Sequence, residues 1–224
     1  MSKKTEAENP IRQTVFIVDD DASICEGLVN LLESVGIAAR SYPSAEAFAN
    51  EWTAANTGCL LLDARLPGIS GVEFQEQLKD SAIGLPVIFM TAHGDVPMVR
   101  KVLKAGAVEF LVKPFQKEEL LHAVEQAFAL DRARRKADDL TNAILAMVAT
   151  LTERERQVMD MVTAGLTNKE IADKLYLSIV TVKLHRSQVM RKMQAGSLAD
   201  LVKMAERLHR SHNSGDAPRR LPSV

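Results

Sequence analysis

The stretch FIVDDD, Phe16–Asp21, ends a hydrophobic run with three consecutive carboxylates. Two carboxylates about 5 Å apart repel each other by roughly 3 kcal/mol at an effective dielectric constant near 20, so these side chains must diverge or be neutralised. The run that leads into them, TVFIVDD (14–20), is short, continuous and apolar, which is typical of a strand buried on both faces of a parallel sheet. FIVDDD therefore predicts a buried strand that carries acidic residues at its carboxyl end.

Runs of the same kind recur through the first half of the chain. Three more buried strands are predicted at CLLLDA (59–64), PVIFMTA (86–92) and VEFLVKP (108–114), with a weaker outer strand at GIAARSY (36–42). Amphipathic stretches with helical spacing separate them, at about 22–34, 44–55, 71–80, 95–105 and from 117 onward. Gly58 precedes a strand, where we expect it to cap a helix. Strict alternation predicts a doubly wound, five-stranded parallel sheet of the flavodoxin-like α/β type.

The polar residues at the carboxyl ends of these strands are Asp19, Asp20, Asp63, Thr91 and Lys113. In a doubly wound sheet, ligands bind at this edge, so we expect the five side chains to converge. Clustered carboxylates suit a hard divalent cation such as Mg²⁺, and a lysine and a threonine beside them can hold phosphoryl oxygens. The set predicts a site that transfers a phosphoryl group to a carboxylate. Asp21, where the first helix begins, is interpreted as that helix's N-cap.

The motifs VDD (18–20), LLDARLPGISG (61–71), MTAHGDV (90–96) and EFLVKPF (109–115) occur in this order in the first half of the chain. Residues 14–130 thereby resemble the receiver domains of bacterial two-component response regulators. The resemblance implies that Asp63 is the phosphoacceptor and that Asp20, Asp63 and the backbone carbonyl of Arg65 bind Mg²⁺ or Mn²⁺. It further implies that Asp19 acts on the metal through a water molecule.

The same resemblance assigns roles to three residues on the later strands. Thr91 would hydrogen-bond the phosphoryl group and Lys113 would pair with it. Thr91 and Phe110 would form the conformational switch. The peptide bond between Lys113 and Pro114 would be cis, an isomer that is open to bonds preceding proline.

Composition and charge divide the chain into two halves. It is 46% hydrophobic and 25% charged, as expected of a soluble globular protein. It has no signal-peptide pattern at its N-terminus and no run of about 20 apolar residues. Cys25 and Cys59 are interpreted as buried inert thiols in preference to a disulfide or redox pair. We therefore expect a cytoplasmic protein. Residues 1–125 carry a net charge of −7 and residues 126–224 a net charge of +6. This split favours two domains, the basic one meeting nucleic acid.

The second half is helical in pattern. Neither Gly nor Pro occurs between Pro114 and Gly165, so we predict a long helical connector over about 117–148. Capping-box spacing at Thr152, Thr167 and Ser197, together with Ser178, predicts helix starts near 152, 167, 178 and 197. The last helix carries an apolar stripe, which serves either dimerisation or packing on its own domain: Leu198, Leu201, Val202, Ala205 and Leu208.

Two of these helices, predicted at 167–175 and 178–193, have helix-turn-helix character. On the second helix Lys183, Ser187 and Arg191 repeat every four residues with Leu184 beside them, a pattern that suits base edges in the major groove. Other basic residues are expected to contact phosphates, namely Lys169, Lys174, Arg186 and Lys192. Residues 148–208 resemble the LuxR-type helix-turn-helix. Tyr176 stands where that family has Gly in the turn, which predicts a slightly rebuilt turn.

Receiver followed by LuxR-type domain resembles the FixJ/NarL class, and AHGDVPM with VTVKLHRSQVMRKM favours the FixJ branch. The domain limits that we predict are a flexible N-terminus (1–13), a receiver (14–130), a helical linker (131–148), a DNA-binding domain (149–210) and a disordered tail (211–224). We expect a cognate histidine kinase, promoter DNA, RNA polymerase and, on phosphorylation, a second copy of the chain as partners, with no membrane. The chain would not be an enzyme beyond its own phosphoryl transfer and dephosphorylation.

Two alternatives stay open at this point. An α/β hydrolase of the haloacid dehalogenase type also combines an aspartyl nucleophile with Mg²⁺, although it would need a DxD pair where this chain has adjacent acids. A DNA-binding protein that keeps its receiver only as a dimerisation scaffold would bind DNA equally well with and without phosphorylation.

Overall fold

The computed structural model describes residues 13–213, apart from 54, 81–82, 93–98, 101, 103 and 105. Three predictions therefore lie wholly or partly outside the described residues: the flexible N-terminus, the disordered tail beyond residue 213 and the first half of the helix at 95–105. The described chain divides into two compact units, with the boundary between Arg134 and Arg135.

The first unit is built on five parallel strands. They are β1 (Thr14–Val18), β2 (Ala38–Tyr42), β3 (Gly58–Asp63), β4 (Val87–Thr91) and β5 (Glu109–Val112). Their order in the sheet is β2-β1-β3-β4-β5. β2 is added on one side of β1, and β3, β4 and β5 are added on the other side, so the topological switch point lies between β1 and β3. The predicted doubly wound α/β receiver fold is confirmed, and the acidic ends of β1 and β3 are neighbours.

The described helices are α1 (Ala22–Ser34), α2 (Ala45–Glu51), α3 (Gly71–Asp80), α4 (Lys117–Ala149), α5 (Glu153–Thr163), α6 (Asn168–Leu175), α7 (Ile179–Lys192) and α8 (Leu198–Asn213). The connector is a continuous helix, as predicted, because α4 extends the last receiver helix to Ala149. The second helix is shorter than the predicted 44–55, since the backbone is extended at Trp52. Among these helices, none combines the length and the apolar character that a membrane crossing requires.

Side chains of β1 alternate between two cores, one on each face of the sheet. Val15 and Ile17 face the core formed with α1 and α4, while Phe16 and Val18 face the core formed with α2 and α3. All four side chains are at most 2% exposed. A strand buried on both faces needs an uninterrupted apolar run, which is the pattern that precedes the acids of FIVDDD.

The end of the sheet opposite the acids is held by a carboxylate from α4. Asp131 is fully buried and accepts hydrogen bonds from the backbone N–H of Gly58 at 3.0 Å and from Arg134 at 3.0 Å. Gln13, just before β1, also donates to it. Gly58 begins β3 and caps no helix, contrary to our expectation. Its φ is 133°, and a Cβ there would lie 1.9 Å from the carbonyl oxygen of Thr14, so only glycine fits.

The second unit is a helical domain with its own core. Helix α7 contributes Val182 and Val189 to this core and its C-cap contributes Met193, all at most 1% exposed. Thr152 and Thr167 each form the predicted capping box, and Ser178 caps α7, so three helices begin within one residue of the predicted starts. The α8 stripe packs at least partly inward, because Leu201 and Ala205 are buried in this core.

Replacing Asp131 with alanine should destabilise the first unit by about 2–3 kcal/mol, because the Gly58 N–H and the Arg134 guanidinium lose a buried charged acceptor. Trp52 is the chain's one tryptophan and packs on Phe16 and Phe48, so its fluorescence during urea unfolding reports this unit.

Glu125→Ala is the matched control, since Glu125 is an exposed carboxylate on the same helix. It should change the free energy of unfolding by less than about 0.5 kcal/mol. Equal effects of the two substitutions would show that the Asp131 contacts do not stabilise the sheet.

Candidate metal centre and nucleic-acid interface

Two strand ends bring three carboxylates together. Asp19 and Asp20 follow β1 directly, and Asp63 is the last residue of β3. One oxygen from each lies within 4.8 Å of the others, the arrangement of a site that could hold a metal ion. Asp19 is 1% and Asp63 9% exposed, whereas Asp20 faces solvent. An all-oxygen donor set with one open side suits Mg²⁺, which keeps water or phosphate oxygens in its remaining positions.

The ammonium of Lys113 bridges the two buried acids. Its Nζ lies 2.5 Å from Asp19 Oδ2 and 2.6 Å from Asp63 Oδ2. The backbone N–H of Lys113 also donates to the carbonyl of Thr91 at 2.7 Å, which fixes the start of the lysine side chain beside β4. The bond between Lys113 and Pro114 is cis, as predicted. Lys113 directly follows β5, the strand at the far edge of the sheet, and its side chain reaches back to the acids at the ends of β1 and β3.

Burial and charge oppose each other at Asp19. Burial raises the pKa of its carboxyl, while the hydrogen bonds from Lys113 and from the Asp21 N–H lower it; the net pKa is above the ordinary value. Burial lowers the pKa of the Lys113 ammonium, but its hydrogen bonds to Asp19 and Asp63 outweigh this and raise it overall. The two buried acids therefore share one ammonium, and exposed Asp20 adds a third carboxylate to the cluster, so that carboxylates outnumber ammonium groups there.

The third acid of FIVDDD has a separate task. Asp21 Oδ1 accepts hydrogen bonds from the N–H groups of Ser23 at 2.8 Å and Ile24 at 3.3 Å, and so caps α1 as predicted. Its own N–H donates to Asp19 Oδ1 at 3.0 Å. The row of charge thus consists of two acids at the cluster and one helix cap.

Three other predicted residues lie on β4 or β5 or just after β3. The Arg65 N–H donates to Asp63 Oδ1 at 2.8 Å, which orients that carboxylate. Thr91 ends β4 and is fully buried, followed by the small, exposed Ala92. Phe110 on β5 is half-buried and packs against the core beneath α2 and α3. Arg65 and Thr91 thus lie at the acidic edge of the sheet, whereas Phe110 lies within β5, opposite Phe89 of β4.

The cysteines lie in the interior, as predicted. Cys25 and Cys59 are buried free thiols, and burial raises the pKa of both. The Cys25 thiol also contacts the backbone carbonyl of Asp19 at 3.4 Å, a contact that the sequence did not reveal. A raised thiol pKa keeps both groups protonated and unreactive.

In the second unit, α7 presents the predicted residues to solvent. Lys183, Leu184, Ser187 and Arg191 are all exposed. The buried residues of α7 lie on the opposite side of the helix, so one face packs and the other is available for a ligand. Lys169 on α6 is exposed as well. This arrangement has the geometry that a recognition helix requires, with one face fixed on its own domain and the other exposed.

Two of the basic residues predicted to contact phosphates have partners inside the domain. Arg186 donates to Asn168 Oδ1 at 2.7 Å, which ties α7 to the start of α6. Lys192 lies 2.6 Å from Glu155 Oε2 and 3.0 Å from the carbonyl of Thr150. The hydrogen bond from Lys192, followed by that from the Thr152 N–H, lowers the pKa of Glu155. Neither partner could be read from the sequence, because each pairs residues that are distant along the chain.

The turn between α6 and α7 contains an exposed tyrosine. Tyr176 is the C-cap of α6, with φ 56° and ψ 45°, and its N–H donates to the carbonyl of Ala172. The rebuilt turn that we expected is therefore not found, because Tyr176 itself takes the left-handed conformation that glycine favours. Its side chain is 95% exposed and supplies little packing in return.

Both units match known protein families. Residues 15–125 match the family described as "Response regulator receiver domain". Residues 149–205 match "Bacterial regulatory proteins, luxR family". Together with the fold and the acidic site, these matches define a two-component response regulator that regulates transcription. The chain belongs to the response regulators that join a receiver domain to a LuxR-type DNA-binding domain.

Similar proteins cover almost the whole chain. Nodulation protein W of Bradyrhizobium diazoefficiens is 44% identical over 206 residues, which is 92% of this chain and 91% of that protein. Transcriptional regulatory protein FixJ of Rhizobium meliloti is 46% identical over 193 residues, 86% of this chain and 94% of that protein. Among solved structures, the response regulator StyR is 45% identical with a TM-score of 0.75, covering 88% of this chain and 99% of that one.

Replacing Tyr176 with glycine should stabilise the second unit by about 1 kcal/mol, because glycine adopts the left-handed conformation without a Cβ penalty. The amides of α6 and α7 that exchange through unfolding of the unit should then exchange about fivefold more slowly in hydrogen-exchange measurements.

Tyr176→Ala separates this effect from loss of the aromatic ring, since alanine keeps the Cβ. It should leave the exchange rates close to those of the wild type. Equal slowing by alanine and glycine would attribute the gain to removal of the ring.

Proposed function

We propose that this response regulator is switched by transfer of a phosphoryl group from a cognate histidine kinase to Asp63. The carrying observation is the cluster of Asp19, Asp20 and Asp63 with the Lys113 ammonium bridging two of them. Asp63 accepts hydrogen bonds from the Lys113 ammonium and from the N–H of Arg65. Asp19 has an equivalent pair of donors, Lys113 and the N–H of Asp21, but it is 1% exposed, against 9% for Asp63. The Asp63 carboxylate is thereby oriented from two sides, as a nucleophile requires.

In the transfer, a carboxylate oxygen of Asp63 forms a bond to the phosphorus of a phosphohistidine. The bond from phosphorus to the imidazole nitrogen breaks, and the imidazole leaves with that electron pair. Lys113 is placed to follow the charge from the Asp63 carboxylate to the phosphoryl oxygens. The Thr91 hydroxyl would donate a hydrogen bond to one of those oxygens. We propose no chemistry for this protein other than this transfer and the later hydrolysis of the same acyl phosphate.

The residues fit a divalent cation. Asp20, Asp63 and the carbonyl of Arg65 would hold Mg²⁺ or Mn²⁺, with Asp19 acting through a water molecule. A bound cation would supply positive charge that offsets both the clustered acids and the incoming phosphoryl group. Exposure of Asp20 beside two buried acids leaves one side of the site open for the donor.

Thr91 and Phe110 are proposed as the switch. Thr91 lies at the end of β4 and Phe110 on the neighbouring β5, paired with Phe89 in the register of the two strands. A hydrogen bond from the Thr91 hydroxyl to a new phosphoryl group would leave space that the half-buried Phe110 ring could fill. The change would alter the outer surface at β5, through which we propose that two phosphorylated copies associate.

Paired DNA-binding domains would then engage two half-sites on promoter DNA, with RNA polymerase as a further partner. Lys183, Leu184, Ser187 and Arg191 are proposed to meet base edges, and exposed Lys169 a phosphate. Arg186 keeps N–H groups beyond the one donated to Asn168, so it could contact a phosphate as well. Lys192 is the weakest phosphate candidate, because its ammonium already has two partners inside the domain.

We also propose the domain limits that the sequence suggests, with a receiver at 14–130, a linker at 131–148 and a DNA-binding domain at 149–210. Continuity of α4 from Lys117 to Ala149 supports a helical linker. The boundary between the compact units, at Arg134 and Arg135, lies within it.

Replacing Asp63 with asparagine should abolish incorporation of label from radioactive acetyl phosphate in the presence of Mg²⁺, because an amide cannot form the acyl phosphate. Asp21→Asn is the matched control. It removes one carboxylate two residues from Asp19, but asparagine can still cap α1, so incorporation should stay near the wild-type level. Full labelling of the Asp63→Asn protein would disprove the assignment of the nucleophile.

A further inference from the structure

The first turn of α7 exposes an apolar side chain that none of the roles above uses. Val180 is 77% exposed, and Leu184, one turn later, is 58% exposed. Residues four apart on a helix are neighbours on one side of it, with Cβ atoms about 5–6 Å apart. Val180 and Leu184 therefore form one apolar pair at the N-terminal end of the recognition helix. With 77% of its surface exposed, the Val180 side chain contributes little packing within its own domain.

The pair lies on the face of α7 that carries the polar candidates for base contact. At about 100° per residue, Val180, Lys183, Leu184 and Ser187 share an arc of roughly 100°. Val182 and Val189 lie on the opposite side, buried in the domain core. Whatever Lys183 and Ser187 contact must therefore also meet the Val180–Leu184 pair.

The chemistry of the expected ligand identifies the counterpart of this pair. N-terminal residues of a recognition helix contact base edges in the major groove. The C5-methyl group of thymine is the apolar feature that the four standard bases present in that groove. Flanking by the cationic side chains of Lys183 and Arg191 favours a polyanion over the apolar surface of another protein.

We propose that Val180 is a specificity-determining residue, which together with Leu184 packs against thymine C5-methyl groups in each half-site. This inference rests on the proposed DNA binding. It commits the protein to operators in which at least one thymine methyl per half-site contributes to affinity. Cytosine lacks the methyl group, so an operator with cytosine at that position would bind more weakly. This discrimination would come from the lost apolar contact and would need no hydrogen bond.

The experiment begins with the full chain, Mg²⁺ and beryllofluoride, and selects binding sites from a random duplex library. Each thymine of the selected site is then replaced singly by deoxyuridine, which removes the methyl group and keeps the O4 acceptor. Wild-type protein should lose about fourfold in affinity for each contacted methyl, the factor that corresponds to burial of one such group. Replacing the symmetry-related thymines of both half-sites together should cost about 15-fold.

Variants assign the effect to the residue. With Val180→Ala, at least one thymine position that is sensitive in the wild type should become indifferent to deoxyuridine. Ile179→Ala is the control, since Ile179 is 45% exposed in the same turn but lies about 100° away round the helix. It should keep every methyl effect. For each variant, the quantity compared is the ratio of its affinities for the thymine and the deoxyuridine duplex. This ratio does not change if a substitution weakens binding to both duplexes equally.

The outcomes separate this inference from the proposed function. If the chain selects no sequence, the proposed DNA binding itself is wrong. If it selects a site but no thymine responds to deoxyuridine, or if Val180→Ala retains every methyl effect, DNA binding stands and the role of Val180 is overturned. Loss of a methyl effect in Val180→Ala alone supports the role.

Discussion

The receiver site depends on one interaction, the pair of ion pairs that the Lys113 ammonium forms with Asp19 and Asp63. Carboxylates within 5 Å of each other repel by roughly 3 kcal/mol per pair at an effective dielectric constant near 20. One ammonium at 2.5 Å and 2.6 Å offsets part of this repulsion. The remaining negative charge makes the site receptive to a cation. Chemistry at Asp63 can therefore change the balance of charge across three strands together.

The sheet supplies the rigidity that this balance requires. Asp19 and Asp63 are buried at the ends of strands that run between two cores, so neither backbone can move away from the other without disturbing both cores. Asp131 holds the opposite ends of the same strands through Gly58 and Gln13. In the DNA-binding unit, α7 is held similarly near its middle by the hydrogen bond from Arg186 to Asn168 and at its end by the Lys192–Glu155 ion pair. Each functional surface is thus carried by an element that is fixed at more than one point.

Local chemistry explains how much of this could be predicted. Apolar runs predicted the strands, and their alternation with helices predicted the sheet. The Thr152 and Thr167 capping boxes predicted helix starts within one residue. These predictions succeeded because each signal lies within a few residues of the structure that it produces. Contacts between distant positions left no such signal: Asp131 with Gly58 is separated by 73 residues and Lys192 with Glu155 by 37. Tyr176 shows the remaining limit. The sequence indicated backbone strain there, but only the structure showed that the tyrosine itself carries it.

We propose above that phosphorylation of the receiver controls DNA binding by pairing two copies of the chain. The most direct test measures the mass of the full chain in solution, and its affinity for a selected operator, with and without beryllofluoride and Mg²⁺. We expect the mass to double and DNA affinity to rise by a factor between about 5 and 150, the usual range for allosteric coupling. An unchanged mass with unchanged affinity would contradict this proposal and favour a receiver that serves only as a scaffold.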